Sequence, residues 1–310
     1  MARFIIRRLL SIIPTMFIIV TLSFFLIRFA PGGPFSSEKK IPEAVLQNIL
    51  KKYHMDEPLL QQYGRYLQDI LLRGDLGPSY RYSDQTVNEL IGATMPTSII
   101  LGSFALGLAF VLGTLAGITS ALRQNKWPDY LSMSIAVIGI SVPLFVIGPV
   151  LQLVFAMKLS WLPTSGWINS RAGWKTLILP MITLAFPYFA YIARLSRGSI
   201  LEVLRSDYIR TARAKGLKES VVILKHVLKG ALLPVVSYLG PAFSGIITGS
   251  VVVETVFLVP GVGQIFVQSA LNRDYTLIMG DIIVYSAILV AMNFVVDIVY
   301  GLLDPRIAYK

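Results

Sequence analysis

Six long apolar segments divide the chain and limit what it can fold into. Each is about 20 residues or longer, which is the length of helix that crosses a bilayer core of about 30 Å. The composition agrees, because only 15% of the residues are charged, against roughly 25% in soluble domains. The sequence therefore predicts an all-α membrane protein with six transmembrane helices. The predicted spans are residues 9–29, 97–121, 130–157, 176–196, 232–257 and 279–303.

Composition excludes several other classes of protein. Cysteine is absent from the 310 residues, which rules out disulfides, thiolate chemistry and cysteine-ligated metals. The net charge of +11 does not indicate nucleic-acid binding, because the cations lie between the apolar segments, where membrane orientation explains them. The first apolar run is too long for the core of a signal peptide, and we interpret it as a retained span.

The Lys and Arg residues of the connecting segments predict the orientation of the chain. With the N-terminus inside, the inner segments contain sixteen Lys and Arg residues and the short outer loops contain four. Cytoplasmic loops are enriched in these residues, so both termini are predicted to be cytoplasmic. The long segment 31–96 then lies outside, and the spacing of its apolar residues predicts two amphipathic helices against the outer face.

A basic segment between the fourth and fifth spans interrupts the apolar pattern. Residues 206–226, SDYIRTARAKGLKESVVILKH, place several cations around one glycine, and we call this segment the elbow. Ser206 or Asp207 is predicted to cap a first helix. Gly216 is predicted to end that helix in the left-handed conformation, and Ser220 to cap a second helix.

The apex of the elbow combines small side chains with arginines. Thr211, Ala212 and Ala214 would let a partner backbone come close, and the arginines would supply donors for its carboxylates or carbonyls. The elbow is therefore predicted to be a docking surface. The alternative is a basic anchor that binds nothing, which explains the charge but not the glycine and the small residues.

The elbow also resembles the coupling loop of permease subunits of ABC importers, in the variant used by peptide importers. The family's Glu-Ala-Ala and its later Gly fall on Arg210, Thr211, Ala212 and Gly216, so an arginine replaces the family's acid. The resemblance covers essentially the whole chain and is closest to the B-type subunits of oligopeptide importers. Further stretches that carry it are FAPGGPF (29–35), GDLGPSY (74–80), GIITGSVVVETVFLVPGVGQ (245–264), ALNRDY (270–275) and LDPRIAY (303–309).

The resemblance implies a type I importer permease fold. Residues 1–310 would form one transmembrane domain, with an extracytoplasmic insertion at 31–96 and a cytoplasmic coupling segment at 206–229. The implied function is ATP-driven uptake of oligopeptides across a bacterial inner membrane. ATPase coupling is implied for Arg210, Thr211, Ala212, Ala214, Gly216 and Leu217.

The same resemblance implies several partners. A second homologous permease would complete the pathway in the lipid bilayer, and two ATPase subunits would bind ATP and Mg. An extracytoplasmic binding protein would deliver the peptide. The chain itself is expected to bind no cofactor and no metal, and to catalyse no reaction.

Missing motifs agree with a subunit that is not an enzyme. The sequence contains no G-x-x-x-x-G-K-[ST] phosphate loop and no H-E-x-x-H zinc motif. Three alternatives stay open: a permease of the same family for nickel or another small solute, a self-sufficient secondary transporter or channel, and an intramembrane enzyme. A nickel permease is disfavoured because the two histidines of the chain, His54 and His226, lie outside the predicted spans.

An acidic residue in a span is expected to have a functional or structural role, because placing one at the bilayer centre costs about 2.5–3.5 kcal/mol on insertion scales. Glu254 is predicted either to line or gate the translocation path, or to cap nearby backbone groups. Asn293 and Asp297, four residues apart in span six, are candidates for the path or for contact with a partner helix. Asp281 is predicted to lie at the N-terminus of span six, where an acid is structurally favourable.

Two further features concern packing and the outer surface. Glycines within the spans, such as Gly245, are predicted to allow close contact between helices. Pro260 and Gly261 predict a turn followed by a helix, which would form part of the surface where a binding protein docks.

Overall fold

The computed structural model describes residues 2–30, 33–34, 43–82, 84–248 and 250–303. Within these ranges the secondary structure is helical apart from one isolated bridge between Pro78 and Thr86. The helices are α1 (Ala2–Phe29), α2 (Glu43–Lys52), α3 (Leu59–Gln68), α4 (Val87–Leu122), α5 (Trp127–Ser141), α6 (Leu144–Leu151), α7 (Lys175–Leu204), α8 (Asp207–Ala214), α9 (Glu219–Val221), α10 (Leu228–Ala231), α11 (Leu233–Thr248), α12 (Val251–Phe257), α13 (Val262–Leu271) and α14 (Tyr275–Leu303). Wider π turns follow α3 and α6 and join α9 to α10, at Asp69–Arg73, Gln152–Lys158 and Val222–Val227.

The helices include several that can cross a membrane. By length and composition, α1, α4, α7 and α14 qualify within the described residues, and as many as seven spans result if three bent pairs of helices each count as one. The predicted all-α membrane architecture is confirmed at this level. The number six and the cytoplasmic location of the termini stay predictions.

The third predicted span, 130–157, is not one straight helix. Its two halves, Trp127–Ser141 and Leu144–Lys158, meet at 110°. Pro143 explains the break, because the residue before a proline is pushed out of the helical region. Val142 is accordingly extended, with φ −91° and ψ 122°.

The fifth predicted span, 232–257, is also divided. Helix α11 ends at Thr248, and residues 251–257 form the separate helix α12. Helices α12 and α13 are then bent by 105° relative to each other. The turn contains Leu258, whose φ is +52°, and the predicted Pro260 and Gly261, so α12 and α13 form a hairpin and the helix predicted after this turn is confirmed.

The segment after the first helix forms the two predicted helices, α2 and α3. Helix α3 packs on the end of α1, where Tyr63 and Tyr66 surround Phe24 and the Thr21 hydroxyl lies 2.6 Å from that of Tyr63. The outer segment predicted at 31–96 ends earlier, because α4 begins at Val87 after a capping box formed by Thr86 and Glu89. Residues 35–42 and most of the motif at 303–309 lie outside the described residues.

Glycines place the central helices in direct contact, as predicted for the spans in general. A Cβ at Gly117 of α4 would overlap Ser196 Cβ on α7, and one at Gly113 would lie 3.0 Å from Ile192. Because the residue numbers of both helices increase in the same direction along this contact, α4 and α7 are parallel. Gly245 is less crowded, since the Tyr188 hydroxyl lies 3.5 Å from the position that a Cβ would occupy there.

Candidate functional site

The elbow consists of α8, a glycine turn and the short helices that lead into α11. Ser206 occupies the N-cap position of α8, but its side chain makes no cap bond and instead donates to the Val203 carbonyl at 2.6 Å. The second helix begins at Glu219 with Lys218 at its N-cap, so the predicted cap at Ser220 is wrong. The helix–turn–helix order itself is confirmed.

One face of α8 packs against the protein's own core. Ile209 is fully buried and Ala212 is 7% exposed, and both belong to a cluster with Ile200 of α7, Val222 and Val227. An eight-residue helix is not stable by itself in water, so this packing determines its position. The predicted small-residue docking patch is therefore only partly a surface, because Ala212 points inward.

The turn of the elbow has the predicted left-handed glycine. Gly216 has φ +76°, a conformation that residues with a Cβ rarely adopt. Its N–H donates to the Arg213 carbonyl at 2.9 Å, and Leu217 N–H reaches back to the Ala212 carbonyl at 3.4 Å. These bonds satisfy carbonyls that the end of α8 leaves free.

An ion pair spans this turn. The Arg213 guanidinium donates to both carboxylate oxygens of Glu219, at 2.6 and 3.2 Å. Hydrogen bonding to Arg213 lowers the pKa of Glu219, and the same bond raises the pKa of Arg213. The pair thus links α8 to the second helix across a turn that glycine would otherwise leave pliable.

The opposite face of the elbow is open and basic. Arg210, Thr211, Ala214, Gly216 and Leu217 are all exposed, and they are the coupling residues implied by the sequence other than Ala212. Arg210 lies 3.4 Å from Asp207 in a pair that is exposed on both sides. Tyr208 and Leu224 are exposed apolar side chains of the same segment.

A buried ion pair connects the elbow's supporting helix to the rest of the bundle. Arg197 of α7 makes two hydrogen bonds to Asp129 of α5, at 2.7 and 2.8 Å, and the Ser120 hydroxyl of α4 donates to the same carboxylate. Asp129 is 2% exposed. The sequence interpretation missed this pair, although an aspartate next to Pro128 at a helix start is a recognisable signal.

Glu254, at the other end of the bundle, is fully buried in a network of hydrogen bonds. Its carboxylate accepts from the Ser98 hydroxyl of α4 at 2.7 Å, from the Ser250 hydroxyl, and from Gln264 N–H of α13 at 3.2 Å. Ser98 Oγ in turn accepts from Val262 N–H at 2.9 Å. This is the capping arrangement that the sequence allowed, in which one acid joins α12, α13 and α4.

Two glycines make room for the Glu254 carboxylate. A Cβ at Gly261 would overlap the Glu254 carboxyl carbon, and one at Gly263 would lie 3.0 Å from Glu254 Oε2. The sequence PGVG is therefore needed both for the turn and for the space that the acid occupies.

Asn293 and Asp297 lie in a polar groove between α1 and α14. Asp297 pairs with Arg8 of α1 at 3.1 Å, and Ser11 and Thr15 line the same groove. The Asn293 side chain approaches Gly240 of α11, where its Oδ1 would lie 3.4 Å from a Cβ. The pair thus lies where α1, α11 and α14 meet.

The N-terminus of α14 is capped by Asp274, not by Asp281, so the prediction for Asp281 is wrong. Asp274 is fully buried and accepts from Leu277 N–H at 3.2 Å, and Asp281 lies two turns into the helix. Asp274 also accepts from the Ser79 hydroxyl at 2.5 Å and from Tyr80 N–H at 3.2 Å. Two of the motifs quoted above, GDLGPSY and ALNRDY, therefore meet at this carboxylate.

A band of tyrosines, which the sequence interpretation missed, crosses the middle of the bundle. Tyr191 of α7 stacks on Tyr238 of α11 with ring centroids 4.2 Å apart. The Tyr188 phenol is close enough to interact electrostatically with Tyr238 and with Tyr285 of α14. Their separation in sequence, across three helices, hid this cluster from a linear inspection.

No metal site is evident in the part of the chain that the structure describes. In those ranges, no three His, Asp or Glu side chains lie close enough together to hold an ion.

Family models match almost the whole chain. The model described as "Binding-protein-dependent transport system inner membrane component" matches residues 113–309, and "Binding-prot-dependent transport system membrane comp, N-term" matches residues 1–101.

Similar curated proteins and solved structures agree with these matches. The chain is 52% identical over 309 residues to the oligopeptide transport system permease protein OppB of Haemophilus influenzae, and the match covers 100% of both. It is 44% identical over 307 residues to the dipeptide transport system permease protein DppB of Bacillus subtilis, covering 99% of this chain and 98% of that protein. The inward-facing MetNI methionine ABC transporter has a similar fold, with a TM-score of 0.55 at 18% identity over 69% of this chain and 96% of the other.

Proposed function

The chain belongs to the family of binding-protein-dependent transport system inner membrane components, as an oligopeptide-type ABC permease, and on this premise we propose that it forms part of the path by which oligopeptides enter the cell. The proposal treats residues 1–310 as one transmembrane domain with both termini in the cytoplasm. Full-length similarity to permeases named for oligopeptides and a dipeptide supports the choice of substrate.

The elbow is the proposed contact with the ATPase. Arg210, Thr211, Ala214 and Leu217 present donors and apolar surface on its open face, and Ala212 acts from beneath by fixing α8 to the core. The proposal rests on the observation that one face of α8 is open while the opposite face packs on the protein's own core. A loose basic loop would bind a partner without transmitting a displacement, whereas a helix seated on its own core moves as one body with α7.

Motion at the elbow would reach the bundle through α7. Helix α7 leads into α8 with only two residues between them, and Arg197 joins it to α5 through Asp129. The Gly117–Ser196 contact joins it to α4. ATP-driven closure of the two ATPase subunits would therefore rotate α4, α5 and α7 together and open the path outward, and hydrolysis would return them.

ATP and Mg would be bound by the ATPase partners, and a second homologous permease would supply the other half of the path. An extracytoplasmic binding protein would deliver the peptide at the end that contains α12 and α13. The Glu254 network holds this hairpin in place, so we assign Glu254 to the outer gate through its control of α12 and α13. Asn293 and Asp297 would steady α14 against α1 and α11 as the helices move.

Reconstitution tests this function. The chain would be placed in liposomes with the second permease, the ATPases and the binding protein, and uptake of a labelled oligopeptide would be measured with and without ATP. We expect ATP-dependent uptake by the assembly and none by the chain alone. Uptake by the chain alone, driven by an ion gradient, would contradict the proposal, and so would ATP-driven uptake of Ni²⁺ in place of peptide.

Two elbow variants test the coupling role. Gly216→Pro cannot adopt φ +76°, and Arg210→Glu reverses the charge of the open face, so both should release the ATPases during purification and abolish uptake. Lys126→Glu reverses an exposed charge in the loop before α5 and should leave both unchanged. Full uptake by Gly216→Pro would show that force enters elsewhere.

A further inference from the structure

Asp281 is a buried acid that the protein itself does not satisfy. It is 6% exposed, and no described residue donates a hydrogen bond to either of its carboxylate oxygens. The other buried acids at this end of the bundle are treated differently. Glu254 accepts from two hydroxyls and a backbone N–H, and Asp274 accepts from the Ser79 hydroxyl and from Leu277 N–H of α14. A buried acid without a partner is unfavourable, which points to a partner that arrives from outside the chain.

Asp281 lines a small pocket between α4, α13 and α14, and its carboxylate oxygens are covered by the groups around them. The pocket has a volume of about 230 Å³, and its walls are mostly apolar. Ligand pockets for drug-sized molecules are larger, roughly 300–1,000 Å³, so this one suits a single residue of an extended chain. The other lining residues are Met95, Val262, Gly263, Phe266, Ile282 and Tyr285.

We propose that this pocket, which we call the Asp281 pocket, binds the amino-terminal residue of the transported peptide. The Asp281 side chain turns so that its carboxylate, which is covered in this structure, pairs with the α-ammonium group. The inference rests on the proposed function. Every unmodified peptide has an α-ammonium group whatever its sequence, so a single carboxylate can bind a group that all transported peptides share. The flexible Met95 and the rings of Phe266 and Tyr285 accommodate side chains of different shapes.

The position of the pocket agrees with a place on the path. Gly263 and Phe266 belong to the hairpin that Glu254 holds in place, so the pocket changes shape if the hairpin moves. Tyr285 lies one turn further along α14 from Asp281 and is an electrostatic neighbour of Tyr188 in the tyrosine band. The pocket is therefore followed along α14 by aromatic groups toward the middle of the bundle.

Uptake by the reconstituted importer tests the charge pairing. Asp281→Asn keeps the shape of the side chain and removes its charge. We expect it to lower uptake of a free peptide at least tenfold and to change uptake of the same peptide with an acetylated amino terminus less than twofold. The ratio of variant to wild type is taken for each peptide separately, so that any preference of the binding protein cancels. Asp56→Asn, at an exposed acid in the segment between α2 and α3, is the matched control and should change neither.

A cross-linking measurement tests the same pocket without the acetylated peptide. The chain has no cysteine, so Phe266→Cys introduces a single thiol into the pocket wall. A free peptide whose first residue is cysteine, activated as a mixed disulfide with 2-thiopyridine, should exchange with this thiol and release 2-thiopyridone. The exchange should be more efficient than with a peptide of the same length that carries the activated cysteine as its last residue. Adding Asp281→Asn should abolish the difference.

Four outcomes would overturn the proposal. Asp281→Asn could leave uptake of the free peptide normal, as expected if the carboxyl is merely protonated, or it could lower uptake of both peptides equally. It could release the second permease during purification, which would assign the carboxylate to a contact between subunits. The two cysteine peptides could also cross-link equally. The proposed function fails separately, if the wild-type assembly takes up neither peptide with ATP.

Discussion

Arg197 and Asp129 form a pair of parallel hydrogen bonds, Nε–Oδ1 at 2.7 Å and Nη2–Oδ2 at 2.8 Å, across the contact between α5 and α7. The Asp129 side chain is 3% exposed and that of Arg197 27%. Removing one member of such a buried pair leaves the other charge without compensation, which typically costs about 3–5 kcal/mol. Arg197→Ala is therefore expected to destabilise the purified protein by about 3 kcal/mol, measured by thermal unfolding in detergent.

The same variant tests transmission from the elbow. Arg197→Ala should leave the ATPases bound but reduce peptide uptake per ATP hydrolysed, because α7 no longer moves with α5. Arg197→Lys should be intermediate, since an ammonium lacks the fork that engages both oxygens. Arg194→Ala removes an exposed arginine one turn earlier and serves as the control. Equal effects of Arg194→Ala and Arg197→Ala would argue that only general charge at this end is important.

The contact of α4 with α7 makes Gly117 sensitive to a single methyl group. Gly117→Ala would place a Cβ on top of Ser196 Cβ and 2.8 Å from the Ala193 carbonyl oxygen, so the helices must separate. Overpacking of this kind costs typically about 1–3 kcal/mol. Gly107→Ala in the same helix meets nothing within 4 Å and should be neutral or slightly stabilising. Thermal unfolding of the two variants side by side would decide, and equal stability would contradict the close contact.

The sequence predicted the features that depend on local patterns. Apolar length predicted the membrane helices, and the glycine in RTARAKGL predicted a left-handed turn that the φ of Gly216 confirms. The helical spacing of apolar residues in the segment 31–96 predicted two helices after the first span. Pro143 marks a position where the third span can break, but the angle of 110° at that point depends on how α5 and α6 pack on other helices. A proline identifies where a helix can bend and does not determine the angle.

Side-chain partners distant in sequence were not predictable in the same way. Asp274 and Ser79 are 195 residues apart, and Ser98 and Glu254 are 156 apart. Nothing local to either member indicates its partner, so the sequence leaves two interpretations of Glu254 open and assigns to Asp281 the capping role that belongs to Asp274. The inward orientation of Ala212 was likewise hidden, because a small residue is compatible with both a core and a docking surface.

The Arg213–Glu219 pair gives the elbow a predictable response to pH. Arg213 lowers the pKa of Glu219 from its ordinary value of 4.5. A lowered folded pKa means that the pair contributes stability above the ordinary value, and that this contribution disappears as the pH falls through the lowered one. A fluorescent probe on Ser220→Cys, the only thiol in the chain, should therefore show a change in anisotropy centred below pH 4.5.

Variants of the pair identify the titrating group. With Arg213→Gln and with Glu219→Gln the change in anisotropy should disappear, because neither variant has the pair whose loss the probe reports. Arg205→Gln removes an exposed arginine that precedes α8 and should leave the midpoint unchanged. A change in anisotropy that persists in Arg213→Gln would mean that the probe reports another carboxylate. Because both side chains are about half exposed, the effect on global stability should be small.

Glu254→Gln tests whether the acid that joins α12, α13 and α4 is also required for transport. A glutamine cannot accept from Ser98, Ser250 and Gln264 N–H together without turning its own N–H groups toward one of these donors. A buried donor left unsatisfied costs about 1–3 kcal/mol, so the apparent stability should fall by that amount. Uptake should fall more steeply than stability, because the hairpin that Glu254 positions is part of the proposed outer gate.

Gly261→Ala should reproduce the defect with the charge intact, since its Cβ would overlap the Glu254 carboxyl carbon. Near-normal uptake by Glu254→Gln at reduced stability would restrict this residue to a capping role and remove it from the gate.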